Sequence, residues 1–367
     1  YTGKASFAIA NTLSMGTSIA SNEITGDTLA RVLNATVTAL GQSAGNLEIR
    51  DSVNGNTVNC TGLVVDADAK HDFFSAVFTA SLSVGYNSLS WDSNGGKAVT
   101  ANAGVTVNTD YMGGTTQVSV ENSDINKDNS NNAGNVLVKA SDCICHEASN
   151  TNAIADVIAG EGAAISVGGG ISKNEDERTI TAFVDGNTGA QGSAEKILNA
   201  NNLIVAGDSK EVAQLTNTAA AVAGSGLGAG SINVGVTYFR EDEATKAYVE
   251  DVTGKNKGMS ITADHKDDVD MYITAVDFSG SVYGGGIGVS VANFDNFSRT
   301  DAVLRYSAVE HTGDNVAVDI VSANNVTDSH TQSANVSVGA AIGGAVGVLV
   351  SNNTLQESVY AGVVDST

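Results

Sequence analysis

The sequence predicts an all-β chain wound as a parallel β-helix, a solenoid of about 20 residues per coil with one or two short peripheral helices. Three observations predict it. First, 367 residues contain 41 Gly and no Pro, where ordinary usage of about 5% would supply about 18 prolines. Second, apolar residues alternate with polar ones, as in Val269, Met271, Ile273, Ala275 and Ile232, Val234, Val236, Tyr238. Period 2 is the spacing of a strand with one buried face. Third, several landmarks recur in fixed order along the chain.

The first landmark is an aliphatic residue, any residue, Ala, then a turn-former. It occurs at Val65–Asp68, Val138–Ser141, Ile204–Gly207, Ile261–Asp264 and Val321–Asn324. Its alanines, Ala67, Ala140, Ala206, Ala263 and Ala323, recur at comparable intervals, the first being the longest. The second is an alternating pair after a Gly/Ala-rich run: Ile165/Val167, Ile232/Val234, Val289/Val291 and Val348/Val350. The third is Ala-x-aliphatic: Ala182/Val184, Ala247/Val249, Ala302/Leu304 and Ala361/Val363. Within a unit the landmarks fall about 20 residues apart, which reads as three coils per unit and about 18 coils in all. At about 4.8 Å per coil the rod would be about 90 Å long. Proline is excluded because nearly every N–H is engaged with the coil above or below.

The chain reads as two parts: a diverged N-terminal solenoid, 1–135, and a regular repeat solenoid, 136–367. In the first, 27–41 places Leu29, Val32, Leu33, Val37 and Leu40 on one helical face, with Asp27 as N-cap and Gly41 as the C-terminal stop. A second short helix is expected at Ser193–Ala200, and a polar surface loop at Asn122–Asn135. The sequence opens at Tyr1 without Met or a signal segment, and the third landmark restarts at Ala361 just before the last residue. Both features suggest a piece of a longer polypeptide. Val336–Val350 is too short and too rich in Gly to span a bilayer. Its Gly339/Gly343 spacing would suit helix packing in a membrane, but the alternation around it favours a strand, so the chain reads as soluble with no membrane insertion.

Composition narrows function. With 18 basic and 41 acidic residues the formal charge is −23, which excludes a general binder of nucleic acid or anionic lipid. Hydrophobic residues make up 42% of the chain, enough for a core, and three cysteines are too few for a disulfide scaffold.

The repeats resemble those of leukotoxin-type filamentous adhesins, Gram-negative surface proteins related to filamentous haemagglutinin. The resemblance rests on the Gly/Ala run, the alternating pair, an Asn-bearing or charged loop, the Ala-x-aliphatic step and the aliphatic-x-Ala step. It is clear from about Val136 onward. It implies an exported, non-enzymatic stalk or filament on the cell surface. Its partners would be further repeats or other copies end to end, and a receptor on a host or neighbouring cell. It carries over no catalytic residues. Two other readings stay open: a polysaccharide-degrading or tailspike-like β-helix, and a self-assembling filament subunit.

Three clusters invite chemistry. Carboxylates gather at Glu175, Asp176 and Glu177, at Glu241, Asp242 and Glu243, and at Asp267, Asp268 and Asp270. The first two triplets lie one repeat apart and read as equivalent loops, which makes them weak calcium candidates. Three coils would hold them about 14 Å apart, too far for one ion, and a third unit offers only Asp295 and Asn296 there. Solvated acidic loops, with no cofactor, are expected. Cys143, Cys145 and His146 could belong to a thiolate site, but alternation places His146 on the opposite face from both cysteines. Buried thiols inside the solenoid are expected, with a bridge to Cys60 as an alternative. The histidines His71, His146, His265, His311 and His330 form no recognised signature, and a single Trp, Trp91, offers little for sugar stacking.

Overall fold

In the computed structural model, residues 2–8, 12–41, 47–50, 53, 55, 57–86, 98–159, 162–187, 196–312, 318–338 and 342–367 are described. No helix occurs among them. The chain is all-β, with parallel strands in two large sheets, an arrangement consistent with a β-solenoid. The first sheet takes Thr2–Ala8, Gly62–Tyr86, Asn135–Ala159, Ala200–Gly224, Val252–Gly280 and Val318–Val338, each parallel to the next. The second takes Thr12–Leu33, Ala98–Glu121 and Gly162–Asp185, then split strands at Gly228–Glu241 with Ala244–Glu250, Tyr283–Asn296 with Arg299–Arg305, and Ala345–Leu355 with Ser358–Val364. Each coil runs out along the first sheet and returns along the second.

The coil is much larger than the landmark spacing suggested. Register partners are a whole repeat apart: Ala67 against Ala140, Val138 against Val205, Val205 against Ile261, Ile261 against Ile320. One unit of roughly 55–90 residues is therefore one coil, not three of about 20. Six coils replace about 18, and the stack is about 24 Å high instead of about 90 Å. The bulk lies along the strands, where a run of 25 residues such as Asn135–Ala159 has a contour of about 80 Å. The landmarks mark successive positions around a single broad turn. Ala182/Val184, Ala247/Val249, Ala302/Leu304 and Ala361/Val363 do stack in register.

Both expected helices give way to strands. Thr12–Leu33 pairs residue by residue with Ala98–Glu121, and Thr36–Val37 pairs with Asp124–Ile125. Ala30 and Val32, two apart, pack on the core, while Leu29 and Leu33 are exposed. The ladder offered by the neighbouring coil pairs the segment along its whole length, which outweighs local helix propensity. Asp27 does not cap a helix; its Oδ1 accepts from the Thr115 amide at 3.1 Å. In the second segment Lys196–Ile197 pairs with Val252–Thr253 and Ala200 opens a long strand; 193–195 lie outside the described residues. The expected loop at 122–135 contains the short strand Asp124–Ile125, with Ile125 fully buried, before its turns.

Between the sheets the interior changes along the strand. One end is aliphatic: Val136, Val138 and Ala140 face Ile180, Ala182 and Val184 with their equivalents from other coils. The middle holds Ile144, Leu215, Met271, Phe239 and Phe294, the two Phe rings stacked at 5.6 Å. Further along, inward positions are Ser166, Gly168 and Gly170 on one sheet and Asn150, Asn152 and Asn217 on the other. There Ile165, Val167, Ile232 and Val348, expected inside, lie on the outer face, 40–47% exposed.

Candidate functional site

A belt of buried charge separates the aliphatic end from the aromatic middle. Alternation and stacking build it. On the first sheet Asp142, Ser209 and His265 form one inward column, and Glu211 with Asp267 form the next. On the second, Asp176, Glu241 and Asn296 are register partners, and Arg178 and Glu243 point inward two residues later. Every one of these side chains is buried.

Two cations organise the belt. Arg178 Nε lies 2.9 Å from both oxygens of Asp176, its Nη1 3.0 Å from Asp142, and its Nη2 2.8 Å from Glu243 and 3.4 Å from Glu211. His265 Nε2 lies 2.7 Å from both Glu241 and Asp267, and its Nδ1 lies 2.9 Å from Glu243 and 2.6 Å from Ser209. Asn296 donates to Glu241 at 3.1 Å and to Asp267 at 2.7 Å, and Thr116 donates to Asp142 at 2.8 Å.

Six carboxyl groups thus face one guanidinium and one imidazole. Full ionisation would leave four uncompensated negative charges in a low-dielectric interior, which no fold tolerates at small cost. The titration behaviour follows from this. Burial pushes Glu211 well above the ordinary carboxylate range, reinforced by the adjacent Asp176 charge; burial and Asp267 do the same to Glu241. Burial also raises Asp142, outweighing Arg178. Burial alone would raise Glu243 too, but His265 and Arg178 overcome it and hold this carboxyl below the ordinary range. Burial would lower His265, but the surrounding carboxylates raise it far above the usual imidazole value. Within the belt Glu211, Glu241 and Asp142 thus keep their protons to higher pH than an ordinary carboxyl, and Glu243 loses its proton at lower pH.

The acidic triplets divide by face. Asp176, Glu241 and Glu243 enter the belt; Glu175, Glu177 and Asp242 face out, where Glu175 pairs with Lys173 at 2.8 Å, Glu177 accepts from the Tyr111 hydroxyl at 3.2 Å, and Asp242 pairs with Arg240 at 2.9 Å. Glu175, Asp176, Glu177 and Glu241 lie on adjacent strands, and Asp242 and Glu243 in the two-residue break that follows, so the expected separation by three coils does not apply. The equivalence read from the sequence is also one residue off: Asp176 pairs with Glu241, not with Asp242. In a strand a one-residue shift exchanges inside and outside. The groups close enough to hold a cation are Glu241, Glu243 and His265, and Asp176, Glu211 and Glu243. In the second set Arg178 already serves as the cation. In the first, His265 turns both ring nitrogens toward carboxylates, which suits an imidazolium and not a metal-ligating neutral ring.

Sequence reasoning missed Asp142, Arg178, Glu211 and His265 as members. The available signal was position: each is an ionisable residue in phase with inward aliphatic neighbours. Of the other candidates, Asp268 and Asp270 face outward beside inward Asp267, and Asn293 donates to Asp295 on the outer side at 2.9 Å. His146 faces inward with Nε2 3.3 Å from Asp110. Cys143 and Cys145 occupy the opposite face, as alternation required, but that face is the outer one, so they do not lie inside the solenoid as expected. They and Cys60 are free thiols, and burial with the neighbouring Cys145 pushes Cys143 up to about 11. Cys60 packs with Leu137, Val64 and Ile204 on the outer side of the first sheet. Trp91 lies outside the described residues.

No protein-family model matches the chain, and neither a curated protein nor a solved structure matches it.

Proposed function

We propose that the chain is a non-enzymatic structural segment of an exported bacterial adhesin or cell-surface filament, working outside the cell. The observation that carries this reading is the parallel stack, whose first and last coils leave one strand edge unpaired by any described residue. On the last coil Val346, Val348, Val350, Val359 and Val363 are 41–59% exposed. Such an edge presents backbone donors, acceptors and apolar side chains in the register that another coil would fill. Further coils, from the same polypeptide or from another copy end to end, are the natural partner. The stiffness of continuous ladders suits a stalk that holds a receptor-binding part away from the cell.

Immunogold labelling of intact producing cells tests the reading. Label on projections outside the envelope is expected, and label reached only after permeabilisation would overturn it. Hydrolysis of acidic polysaccharide by the purified chain, abolished by Glu241→Gln with Asp267→Asn, would favour an enzyme.

A further inference from the structure

The outer face of the second sheet carries a block of aliphatic side chains across all six coils. Register sets its columns. One runs Met15, Ala103, Val167, Ile232, Ile287, Val346; the next Thr17, Val105, Gly169, Val234, Val289, Val348; the next Ile19, Val107, Ile171, Val236, Val291, Val350. On the other side lies Leu13, Ala101, Ile165, Gly230, Gly285. Thr17 is the one polar residue in the block, and none is charged, although the chain has 18 basic and 41 acidic residues to distribute. Leu13 is 70% and Ile19 77% exposed.

We infer that this face docks a second copy of the chain, sheet against sheet. Four columns two residues apart and six rungs cover about 26 by 29 Å, about 750 Å². One face is above the roughly 300–600 Å² patch a monomer ordinarily leaves bare, and two copies would bury about 1,500 Å², inside the range of about 1,200–2,000 Å² for specific interfaces. The charge distribution supports the same occupant. Two chains of −23 repel each other, so a self-contact is favoured only through an uncharged surface. At the border of the block stand Lys173 paired with Glu175 and Arg240 paired with Asp242, with Glu23 and Asp295 in the column of Glu175 and Arg240, which gives an apolar centre and a polar rim. Docking of this kind is closed at two copies and uses side chains, whereas end-to-end stacking uses backbone edges and has no limit.

Sedimentation velocity of the full chain tests the inference. Wild type should reach twice the monomer mass and stop. Val167→Lys and Ile232→Lys, each outward and so compatible with folding, should weaken pairing at least tenfold while the melting temperature measured on monomer stays unchanged. Thr216→Lys, on the outer side of the first sheet, should still pair. A monomeric wild type, pairing insensitive to both lysines, or a monomer that instead binds phosphatidylcholine vesicles through this face would each overturn the inference.

Discussion

Two stretches of the same strand alternate alike, yet one turns its aliphatic residues inward and the other turns them outward. In Thr179–Asp185, Ile180, Ala182 and Val184 point inward against Val136, Val138 and Ala140. In Gly162–Ile171, the aliphatic Ile165, Val167 and Ile171 point outward, and Ser166, Gly168 and Gly170 point inward. The difference comes from what the facing sheet offers. Opposite the second stretch stand Asn150, Asn152 and Asn217, whose amides cross the interior to backbone carbonyls. Asn152 donates to Gly104 at 2.8 Å and Gly169 at 2.6 Å, and Asn217 donates to Gly170 at 3.1 Å and Val236 at 2.8 Å. Those bonds need close approach, and glycine gives it: a Cβ at Gly170 would lie 2.4 Å from Asn217 Oδ1. Period 2 identifies a strand; only the opposing layer decides which phase is buried.

The charged belt, between these stretches, should give the largest response. Arg178→Met removes the counter-charge of four carboxyl groups at a fully buried position. Stability should fall by about 3–5 kcal/mol, as when one partner of a buried ion pair is lost. Combining it with Asp176→Asn and Glu243→Gln should recover part of that loss in urea titrations. If the single variant unfolds like wild type, the belt is not held by Arg178.

Ile180 and Ile171 test the comparison directly, since they are the same residue on one strand with opposite exposure. Ile180→Ala should destabilise by about 3 kcal/mol through a lost aliphatic group and a cavity. Ile171→Ala should cost the monomer under about 1 kcal/mol, because its side chain is already solvated. Equal losses would mean that the outer face is covered within the monomer.

Adjacent glycines give a sharper contrast. Gly170→Ala forces a methyl onto Asn217 and should cost about 1–3 kcal/mol by overpacking. Gly169→Ala has no atom nearer than 3.9 Å and should be neutral or slightly stabilising, since alanine restricts the unfolded chain more. Thermal melting of the pair reads the difference.

Much of the fold was legible, and for identifiable reasons. The missing prolines, the alternation and the recurring order gave parallel strands, and the Ala182/Val184 series was in register as read. Coil size was not legible, because landmarks evenly spaced within a unit fit either three short coils or one broad one, and single-chain spacing carries no record of which strands are neighbours. Ala206 illustrates the limit: it aligns by motif with Ala140, yet the pairing sets Gly207 against Ala140. The belt was hidden by the same ambiguity. Its ionisable members span Asp142 to Asp267 and meet only through registers that differ from coil to coil. A chain with 41 acidic residues gives no local reason to single out Glu211.

That residue provides the smallest effect and a test of how the belt differs from the aliphatic end. Glu211 is raised above its ordinary value of 4.5, so the native state holds its proton more tightly than the unfolded state. Its contribution is fully present below about that pH and is lost as pH rises through the folded value. His265, raised above 6.5, adds a loss of the same sign on the alkaline side. Glu243 is lowered, so its contribution exists above 4.5 and disappears only under more acidic conditions. Stability should therefore decline from mildly acidic toward alkaline pH. Glu211→Gln keeps the shape of the protonated acid without the proton. It should raise the melting temperature on the order of 1–2 °C at pH 8 and leave it unchanged near pH 4. Outward Glu177→Gln serves as the control for general charge repulsion. If both variants shift the alkaline limb equally, the decline belongs to the surface charge and not to the belt. If Glu211→Gln alone flattens it, the interior between the two stretches is titrating while the aliphatic end, seen through Ile180→Ala, loses the same amount at every pH.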